Sequence, residues 1–517
     1  MNKNFLAFII CGFLFPSLSN AAEIAWHKSN VDQALSQAKT EHKPIMVYWG
    51  AVWCPPCEAL KVHVFPDPKF IDATKNFVAI YLDGDTQDAQ IWGEKFGATG
   101  YPTLIVLNED GQEVQRLGTS QTAADLTKDL LQAGQNSQTI EQLLEQVVAE
   151  KYTEKILQQS WQRIAHHGWD YNPKWDDRKE ELTKKLVIVQ EKVPNIFSNE
   201  KTALQLLVLG RRIESVSAPE KLDAKIRTDG LELVSKIIAD QKSMMIFKKE
   251  MIFGAEKFTK GFFPEPGDNK TAMIQFVMAY KQAMWKLLEE KSLTLQQRGY
   301  ILSGISELSS GQNPEYPVLL AVEQKRLKQT LLKYLTSAKI AHERVVIFNV
   351  LPYVYKKLGL VDEARKLILK YENQVGVKNL IYTLLADLDM DEGQLESALT
   401  WSEKAYKKSK GSATRTQWGN NYMQVLVEVS PEKSQQIWDS SLAIISEGLS
   451  VKDGLSGRNA RSLKKLKTAI TGWAEKQKQE FPISKLAQIE KEKCNGEAEF
   501  VKKCQDYFKA FSIAKAK

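Results

Sequence analysis

The chain has 517 residues, of which 43% are apolar and 26% charged, and its formal net charge is +7. This composition is typical of a folded protein with roughly two to four domains, and it excludes a mainly disordered chain. The 70 basic and 63 acidic residues form no dense block of one sign, so the sequence does not indicate binding to nucleic acid.

The first 21 residues have the pattern of a secretory signal peptide. Lys3 precedes an apolar run over residues 5–15 that is too short to span a bilayer, and residues 19–21 form a small-residue cleavage pattern. We therefore expect cleavage after Ala21 and a periplasmic or secreted mature protein. No later segment has a long uninterrupted apolar run, so we expect no membrane span in the mature chain.

Residues 22–135 alternate between helical and strand patterns and form the first predicted domain. The last two strands flank a turn of sequence NEDG, which predicts a hairpin. The whole order predicts an α/β domain with a mixed sheet and helices on both faces. Helical patterns occupy residues 30–43, 58–64, 88–97 and 121–133, and strand patterns occupy residues 44–50, 77–85, 103–107 and 113–117.

The remainder of the chain has only helical patterns. A polar linker is predicted at residues 136–140, and we expect residues 141–517 to be a large all-α domain. Proline-led helix starts recur in it, for example at residues 217–222 and 429–438, where Ser or Ala precedes Pro-Glu.

A weak internal repeat lies within this helical part. Gly359 aligns with Gly393, and Ala364 aligns with Ala398, at a period of 34 residues. This spacing resembles the tetratricopeptide family, which implies stacked helix pairs around residues 345–445. An irregular helical bundle is the alternative.

The sequence has five cysteines, one of which lies in the predicted signal peptide. A lipoprotein signal at Cys11 is the alternative to cleavage after Ala21. The other four pair naturally as a C-x-x-C of Cys54 and Cys57 and a C-x9-C of Cys494 and Cys504. For the second pair we expect a structural disulfide near the C-terminus, and electron exchange with the first pair is the alternative.

Cys54 and Cys57 lie between an apolar strand and a helix, in the sequence AVWCPPCEAL. A sulfur at a helix N-terminus is stabilised as thiolate, so we expect Cys54 to have a lowered pKa and to be the nucleophile. Cys57, one turn later on the same side, is expected to resolve the mixed disulfide, which makes Cys54–Cys57 a redox-active disulfide. Trp53 is expected to form an apolar wall beside an exposed sulfur. No further ligands are at hand, so we expect no metal.

The motifs WCPPC at residues 53–57 and GYPT at residues 100–103 resemble those of the thioredoxin-like family. Within it, residues 40–133 are most similar to the C-terminal periplasmic domain of the transmembrane thiol:disulfide interchange proteins. The resemblance implies that Pro102 is the family's cis-proline. It also implies that Trp53, Tyr101 and Pro102 position an extended substrate beside the dithiol.

Two positions depart from the family's pattern. Thioredoxins usually carry a buried Asp six residues before the first cysteine, and Tyr48 stands there in this sequence. The usual Lys partner of that Asp aligns with Ala79. The group that handles the proton of Cys57 is therefore open, with Glu58, Asp83 or water as candidates.

Together these features predict an exported thiol:disulfide oxidoreductase of the protein-disulfide reductase type, without a cofactor. Its partners would be protein thiols and disulfides, and the resemblance implies a redox partner that is either membrane-embedded or soluble. The alternative is a helical-repeat interaction protein or chaperone-like scaffold with an auxiliary thioredoxin-like domain.

Overall fold

The computed structural model describes residues 23–28, 30–151, 154–264, 270–309 and 321–513. The predicted signal peptide, residues 1–21, lies outside the described residues. Among the helices within these ranges, none is both long and apolar enough to cross a membrane.

A five-stranded mixed sheet forms the centre of the N-terminal part. Its spatial order is β1-β3-β2-β4-β5. β3 pairs in parallel with β1 and β2, whereas β4 is antiparallel to both β2 and β5. The predicted mixed sheet is thus confirmed. The strands are β1 Trp26–Lys28, β2 Ile45–Gly50, β3 Val78–Asp83, β4 Thr103–Leu107 and β5 Glu113–Leu117.

Helices cover both faces of this sheet, as the sequence predicts. α2, α3 and α5 pack on one face, where Leu60, Phe70 and Leu126 are buried. α1 and α4 pack on the other face, where Val31 and Ala89 are buried. The helices are α1 Val31–Glu41, α2 Pro55–His63, α3 Pro68–Thr74, α4 Ala89–Lys95 and α5 Ala123–Gly134.

Two of these elements were not predicted. β1 has only three residues and was too short to give a periodic signal. α3 begins after Asp67, whose carboxylate accepts hydrogen bonds from the backbone N–H groups of Lys69 and Phe70. Asp followed by Pro68 is a helix-start signal that the sequence does carry. α2 begins at Pro55, three residues before the periodic pattern of residues 58–64, so that Cys54 stands at the helix N-terminus as expected.

The rest of the described chain is helical and has no strand, which confirms the predicted all-α region. Short 3₁₀ turns connect some of the helices. The helices are α6 Ile140–Val148, α7 Glu154–His166, α8 Lys179–Lys192, α9 Ser198–Ser215, α10 Ala224–Ala239, α11 Gln241–Ile246, α12 Lys248–Phe262, α13 Lys270–Leu287, α14 Leu295–Glu307, α15 Ala321–Ser337, α16 Ala341–Phe348, α17 Leu351–Lys357, α18 Val361–Tyr371, α19 Lys378–Asp391, α20 Leu395–Lys408, α21 Ser412–Val429, α22 Ser434–Gly448, α23 Gly457–Lys476, α24 Ile483–Lys493 and α25 Ala498–Ile513.

The aligned positions of the weak repeat occupy equivalent places in two successive helix pairs. Gly359 joins α17 to α18 and Gly393 joins α19 to α20, and both have φ of 71°. Ala364 and Ala398 are both fully buried in the second helix of their pair. The assignment to tetratricopeptide repeats stays a prediction.

Cys494 and Cys504 are joined by a disulfide between the end of α24 and α25. Cys504 is buried in an apolar cluster with Leu486 and Phe508. The bond therefore ties the last helix to its neighbour, and its contribution to stability stays a prediction.

Candidate active site at Cys54 and Cys57

Cys54 is the residue that caps the N-terminus of α2. Its sulfur accepts a hydrogen bond from the backbone N–H of Cys57 at 3.3 Å. Pro55 and Pro56 occupy the first helical positions, where their missing N–H groups leave no hydrogen bond unmade. Both thiols are free in the structure. The CPPC sequence thus places the two sulfurs side by side at the start of a helix.

The dithiol is more deeply buried than the sequence suggests. Cys54 is 2% exposed and Cys57 is fully buried, so the expected exposed sulfur is wrong. Burial raises the pKa of Cys54 well above its ordinary value, and the neighbouring Cys57 raises it further. The hydrogen bond from the Cys57 N–H and the charge of Arg458 both lower the pKa of Cys54, but by less than burial raises it. The predicted lowered pKa is therefore wrong for this conformation.

Helix α21 of the helical region covers Trp53. The Trp53 indole N–H donates a hydrogen bond to Thr414 Oγ1 at 2.6 Å. The Trp53 ring also meets Trp418 edge to face, with 4.4 Å between the ring centroids. The aromatic side chain that was expected to receive substrates is therefore occupied by the chain's own helix.

Asp85 anchors the N-terminus of α21 beside the dithiol. Its carboxylate accepts hydrogen bonds from the Thr414 N–H at 2.8 Å and from the Thr414 hydroxyl at 2.5 Å. Burial raises the pKa of Asp85, while the Thr414 hydrogen bonds lower it. Gly411 permits this approach, because it has φ of 85° and a Cβ there would lie 2.2 Å from the Asp85 Cγ. A carboxylate at this helix end is also favoured by the helix dipole.

Tyr101 and Pro102 lie next to Trp53. The Tyr101–Pro102 peptide bond is cis. The Tyr101 ring centroid is 5.9 Å from that of Trp53, and the Tyr101 hydroxyl accepts a hydrogen bond from Gln90 at 2.8 Å. Arg458, at the start of α23, places its guanidinium 4.6 Å from the Tyr101 ring centroid. The helical region thus contacts both aromatic residues that were expected to position a substrate.

α4 and α23 form a second contact around the site. The Gln90 backbone N–H donates to Asp453 at 3.2 Å, and the Gln90 side-chain oxygen accepts from the Arg458 N–H at 2.9 Å. Glu94 accepts a hydrogen bond from the Gly457 N–H at 3.1 Å. These bonds hold Arg458 over the aromatic pair.

The two carboxylates among the candidate proton acceptors, Glu58 and Asp83, are engaged elsewhere. The buried Glu58 carboxylate pairs with Lys61 at 3.0 Å and with His342 of α16. Asp83 accepts hydrogen bonds from the Asp85 N–H at 3.1 Å and from the Tyr81 hydroxyl at 3.4 Å. Both carboxylates therefore have partners other than the Cys57 sulfur.

The sequence did not predict the residues of the helical region that contact Glu58, Trp53 and Tyr101 beside the dithiol. They lie between 284 and 368 residues from their partners, and no motif marks them. Hydrophobic periodicity places Trp418 on the inner face of a helix but does not say which surface it meets. These residues are His342, Thr414, Trp418 and Arg458.

Within the described ranges, no group of three or more His, Cys, Asp or Glu side chains is arranged to hold a metal ion. The reactive groups of the described site are the two thiols, with hydrogen-bonding side chains around them.

The fold and the dithiol define the class of domain. A family model described as a thioredoxin-like domain matches residues 31–134. This span contains β2 to β5, the CPPC sequence and the cis-proline. The N-terminal part of the chain is therefore a thioredoxin-like domain, as its motifs predict.

Three similar proteins each match less than a fifth of this chain. A "Thiol:disulfide interchange protein DsbD" from Pseudoalteromonas atlantica is 29% identical over 94 residues, which are 18% of this chain and 16% of that protein. Human "Nucleoredoxin" is 29% identical over 119 residues, covering 19% of this chain and 27% of the relative. "Thioredoxin H4" of Arabidopsis thaliana is 32% identical over 85 residues, covering 16% of this chain and 66% of the relative.

A solved structure titled "DsbH Oxidoreductase" aligns with 26% of this chain and 95% of its own, at 19% sequence identity and a TM-score of 0.21. At this identity and TM-score, the alignment supports no conclusion about the function of this protein. This chain spans less than a third of the length of the first two relatives.

Proposed function

We propose that this protein is an exported thiol:disulfide oxidoreductase that acts on disulfides of other exported proteins. One observation carries the proposal: Cys54 caps α2 with its sulfur 3.3 Å from the Cys57 N–H, inside a thioredoxin-like domain. A static disulfide or a metal site would need neither this helix junction nor the cis-proline beside it. The likeness to a thiol:disulfide interchange protein supports the same chemistry.

The proposed reaction has two thiol exchange steps. The Cys54 thiolate attacks one sulfur of a substrate disulfide, forms a mixed disulfide and releases the other substrate sulfur as a thiolate. Cys57 then loses its proton and attacks the Cys54 sulfur, which forms the Cys54–Cys57 disulfide and releases the second substrate thiolate. Two electrons pass from the dithiol to the substrate, and two protons end on the substrate thiols. We propose this reductive direction on the likeness to the interchange proteins.

The oxidised pair must be returned to the dithiol. By the reverse chemistry, a redox partner with a reduced thiol pair would attack the Cys54–Cys57 disulfide. The disulfide is reduced to the dithiol, and the partner's thiols are oxidised to a disulfide. This partner would be either membrane-embedded or soluble.

The contacts around Trp53 and Tyr101 add a condition to the proposal. A substrate that pairs with the Tyr101 backbone has to displace α21 and Arg458, because these elements cover both aromatic side chains. We therefore propose that the helical region selects the partner whose binding replaces these contacts.

Export is the part of the proposal that rests on residues 1–21. The charged start, the short apolar run and the small residues before Ala22 support it. Mass measurement of the protein recovered from an exporting host tests it: the mature chain is expected to begin at Ala22, and an intact N-terminus would contradict export by cleavage.

Insulin reduction by the purified mature chain tests the enzymatic claim. Turnover is expected for the wild type and for the double variant Cys494→Ser/Cys504→Ser, which keeps the CPPC dithiol. It is expected to be lost in Cys54→Ser. Absence of wild-type turnover, or turnover that Cys54→Ser does not reduce, would remove the claim.

The second candidate is an interaction protein, and the enclosed dithiol is the observation that favours it. If α21 stays in place, the thioredoxin-like domain is a fixed part of a scaffold. Cys57→Ser distinguishes the two, because it should trap substrates as mixed disulfides on Cys54. Several trapped proteins support the oxidoreductase, one supports a dedicated partner, and none supports the scaffold.

A further inference from the structure

Tyr48 stands where the resemblance to thioredoxins implies a buried acid, and its environment points to a role in the second exchange step. It lies in β2, is 1% exposed and belongs to the same buried cluster as Cys54 and Cys57. The neighbouring residues Val47 and Trp49 face the opposite side of the sheet. The Tyr48 phenol is therefore directed into the space under the dithiol.

The ring of Tyr48 is held firmly. It stacks on Tyr81 with 5.1 Å between the ring centroids and meets Phe65 edge to face at 4.9 Å. A Cβ at Gly50 would lie 2.5 Å from the Tyr48 Oη, so the hydroxyl occupies space that this glycine leaves open. A phenylalanine would satisfy the ring packing alone, and the hydroxyl needs a separate explanation.

That hydroxyl is buried and has no well-aligned hydrogen bond to any residue within the described ranges. Buried hydroxyls are normally paired, because leaving one unpaired is unfavourable. The groups that act on it electrostatically are the two thiols and, more weakly, Tyr81. Burial raises the pKa of Tyr48 well above its ordinary value, and negative charge on Cys57 and Cys54 raises it further. The phenol therefore stays protonated, so it can donate a hydrogen bond but cannot serve as a base.

We propose that Tyr48 donates a hydrogen bond to the Cys57 sulfur as negative charge develops on it during resolution of the mixed disulfide. The inference rests on the proposed oxidoreductase function and deepens it. A hydrogen bond from a neutral donor stabilises the thiolate in a site that water does not reach. Glu58 and Asp83 are left out of this role, because their carboxylates are engaged by Lys61, His342, Tyr81 and Asp85.

The step balances without a new reactant. The proton of Cys57 passes to the substrate thiolate released in the first exchange or, where that thiolate is a weak base, to the buffer. The new S–S bond forms between Cys57 and Cys54, and the second substrate sulfur departs with the bonding electron pair. Tyr48 keeps its own proton throughout. The buried acid of the family could take up the proton itself, whereas Tyr48 only stabilises the sulfur that has lost it.

A peptide with one cysteine, joined by a disulfide to thionitrobenzoate, separates the two exchange steps. Attack by Cys54 releases coloured thionitrobenzoate, which is the better leaving group, and leaves the peptide on Cys54. Resolution by Cys57 then frees the peptide, and acid quenching followed by mass measurement follows the loss of the adduct. The mature full-length chain is used as wild type, Tyr48→Phe and Tyr81→Phe.

In Tyr48→Phe we expect thionitrobenzoate release at the wild-type rate and loss of the peptide adduct about tenfold more slowly, the effect of removing one hydrogen bond to a charged sulfur. Tyr81→Phe removes a neighbouring hydroxyl from the same ring stack, and both of its steps are expected to keep the wild-type rate. Adduct loss at the wild-type rate in Tyr48→Phe overturns the inference, as does equal slowing of both steps. If the wild type releases no thionitrobenzoate, the proposed function itself fails.

Discussion

The Trp53 indole N–H donates a hydrogen bond to the hydroxyl of Thr414, 361 residues further along the chain. The same hydroxyl donates to Asp85, so one threonine links the tryptophan of the CPPC motif to the loop after β3. The helical region and the thioredoxin-like domain therefore meet at the tryptophan that directly precedes the CPPC dithiol. We expect access to Cys54 to depend on how firmly α21 is held there.

Loosening α21 is expected to expose Cys54. Trp418→Ala removes the ring that packs edge to face on Trp53, and a truncated buried tryptophan typically destabilises by about 3–5 kcal/mol. If about 1.4 kcal/mol of that loss weakens the packing of α21 on Trp53, the state with α21 released becomes about tenfold more populated. Cys54 is then alkylated about tenfold faster. The rate of Cys54 modification by iodoacetamide, located by mass measurement of the digested protein, gives the result.

Trp438→Ala is the matched control for this change. Trp438 belongs to another buried cluster, where it packs on Trp473, and has no part in the cover over Trp53. We expect its substitution to leave Cys54 alkylation unchanged. An equal acceleration by both substitutions would mean that general unfolding, and not release of α21, exposes the thiol.

The pH dependence of Cys54 alkylation is expected to reflect its burial. The thiolate is the reactive form, and burial raises the pKa of Cys54, so the rate should keep rising with pH beyond the range of an ordinary cysteine. Releasing α21 by Trp418→Ala lets water reach the sulfur, which should move the midpoint of the profile to lower pH. A wild-type midpoint below the ordinary cysteine value would contradict the buried state described for Cys54.

Gly411 is expected to be required for the docking of α21. Gly411→Ala adds a Cβ that would lie 2.2 Å from the Asp85 Cγ, and it also places a side chain at φ of 85°. With ψ of 148° this backbone conformation is essentially restricted to glycine, and it alone is unfavourable for alanine by about 1–3 kcal/mol. We expect a lower melting temperature together with faster alkylation of Cys54.

Gly359→Ala separates these two effects. Gly359 has φ of 71°, and a Cβ there would meet no atom within 4 Å. Its substitution should lower the melting temperature through backbone strain while leaving Cys54 alkylation at the wild-type rate. Identical alkylation rates for the two glycine variants would argue against a role of Gly411 at the dithiol.

Local sequence patterns were sufficient for the architecture around the cysteines. The apolar run before Cys54, the two prolines after it and the Pro102 motif each act over a few residues, so strand, helix start and cis-proline could be predicted together. β1 could not be predicted, because a strand of three residues is too short to show a periodic pattern. α3 could have been found from Asp67 and Pro68.

The environment of the dithiol could not be predicted in the same way. The expected lowered pKa of Cys54 follows from the helix N-terminus alone, which is correctly placed. Burial of the sulfur reverses the direction of the pKa shift. Contacts of the surrounding residues with distant helices, such as that of Trp53 with Trp418, are encoded by no short segment. The sequence therefore predicted the position of the dithiol at a helix start, whereas the solvent exposure of the dithiol depends on the whole fold.

The central claim is that Cys54 and Cys57 form a reversible redox pair. Equilibration of the mature protein in glutathione buffers of increasing oxidising strength, followed by acid quenching and peptide mapping, tests it most directly. We predict that a Cys54–Cys57 disulfide forms and is reduced reversibly, with loss and regain of two hydrogens, while Cys494–Cys504 stays bonded throughout. A Cys54–Cys57 pair that stays in one state across the whole range of buffers would contradict the account.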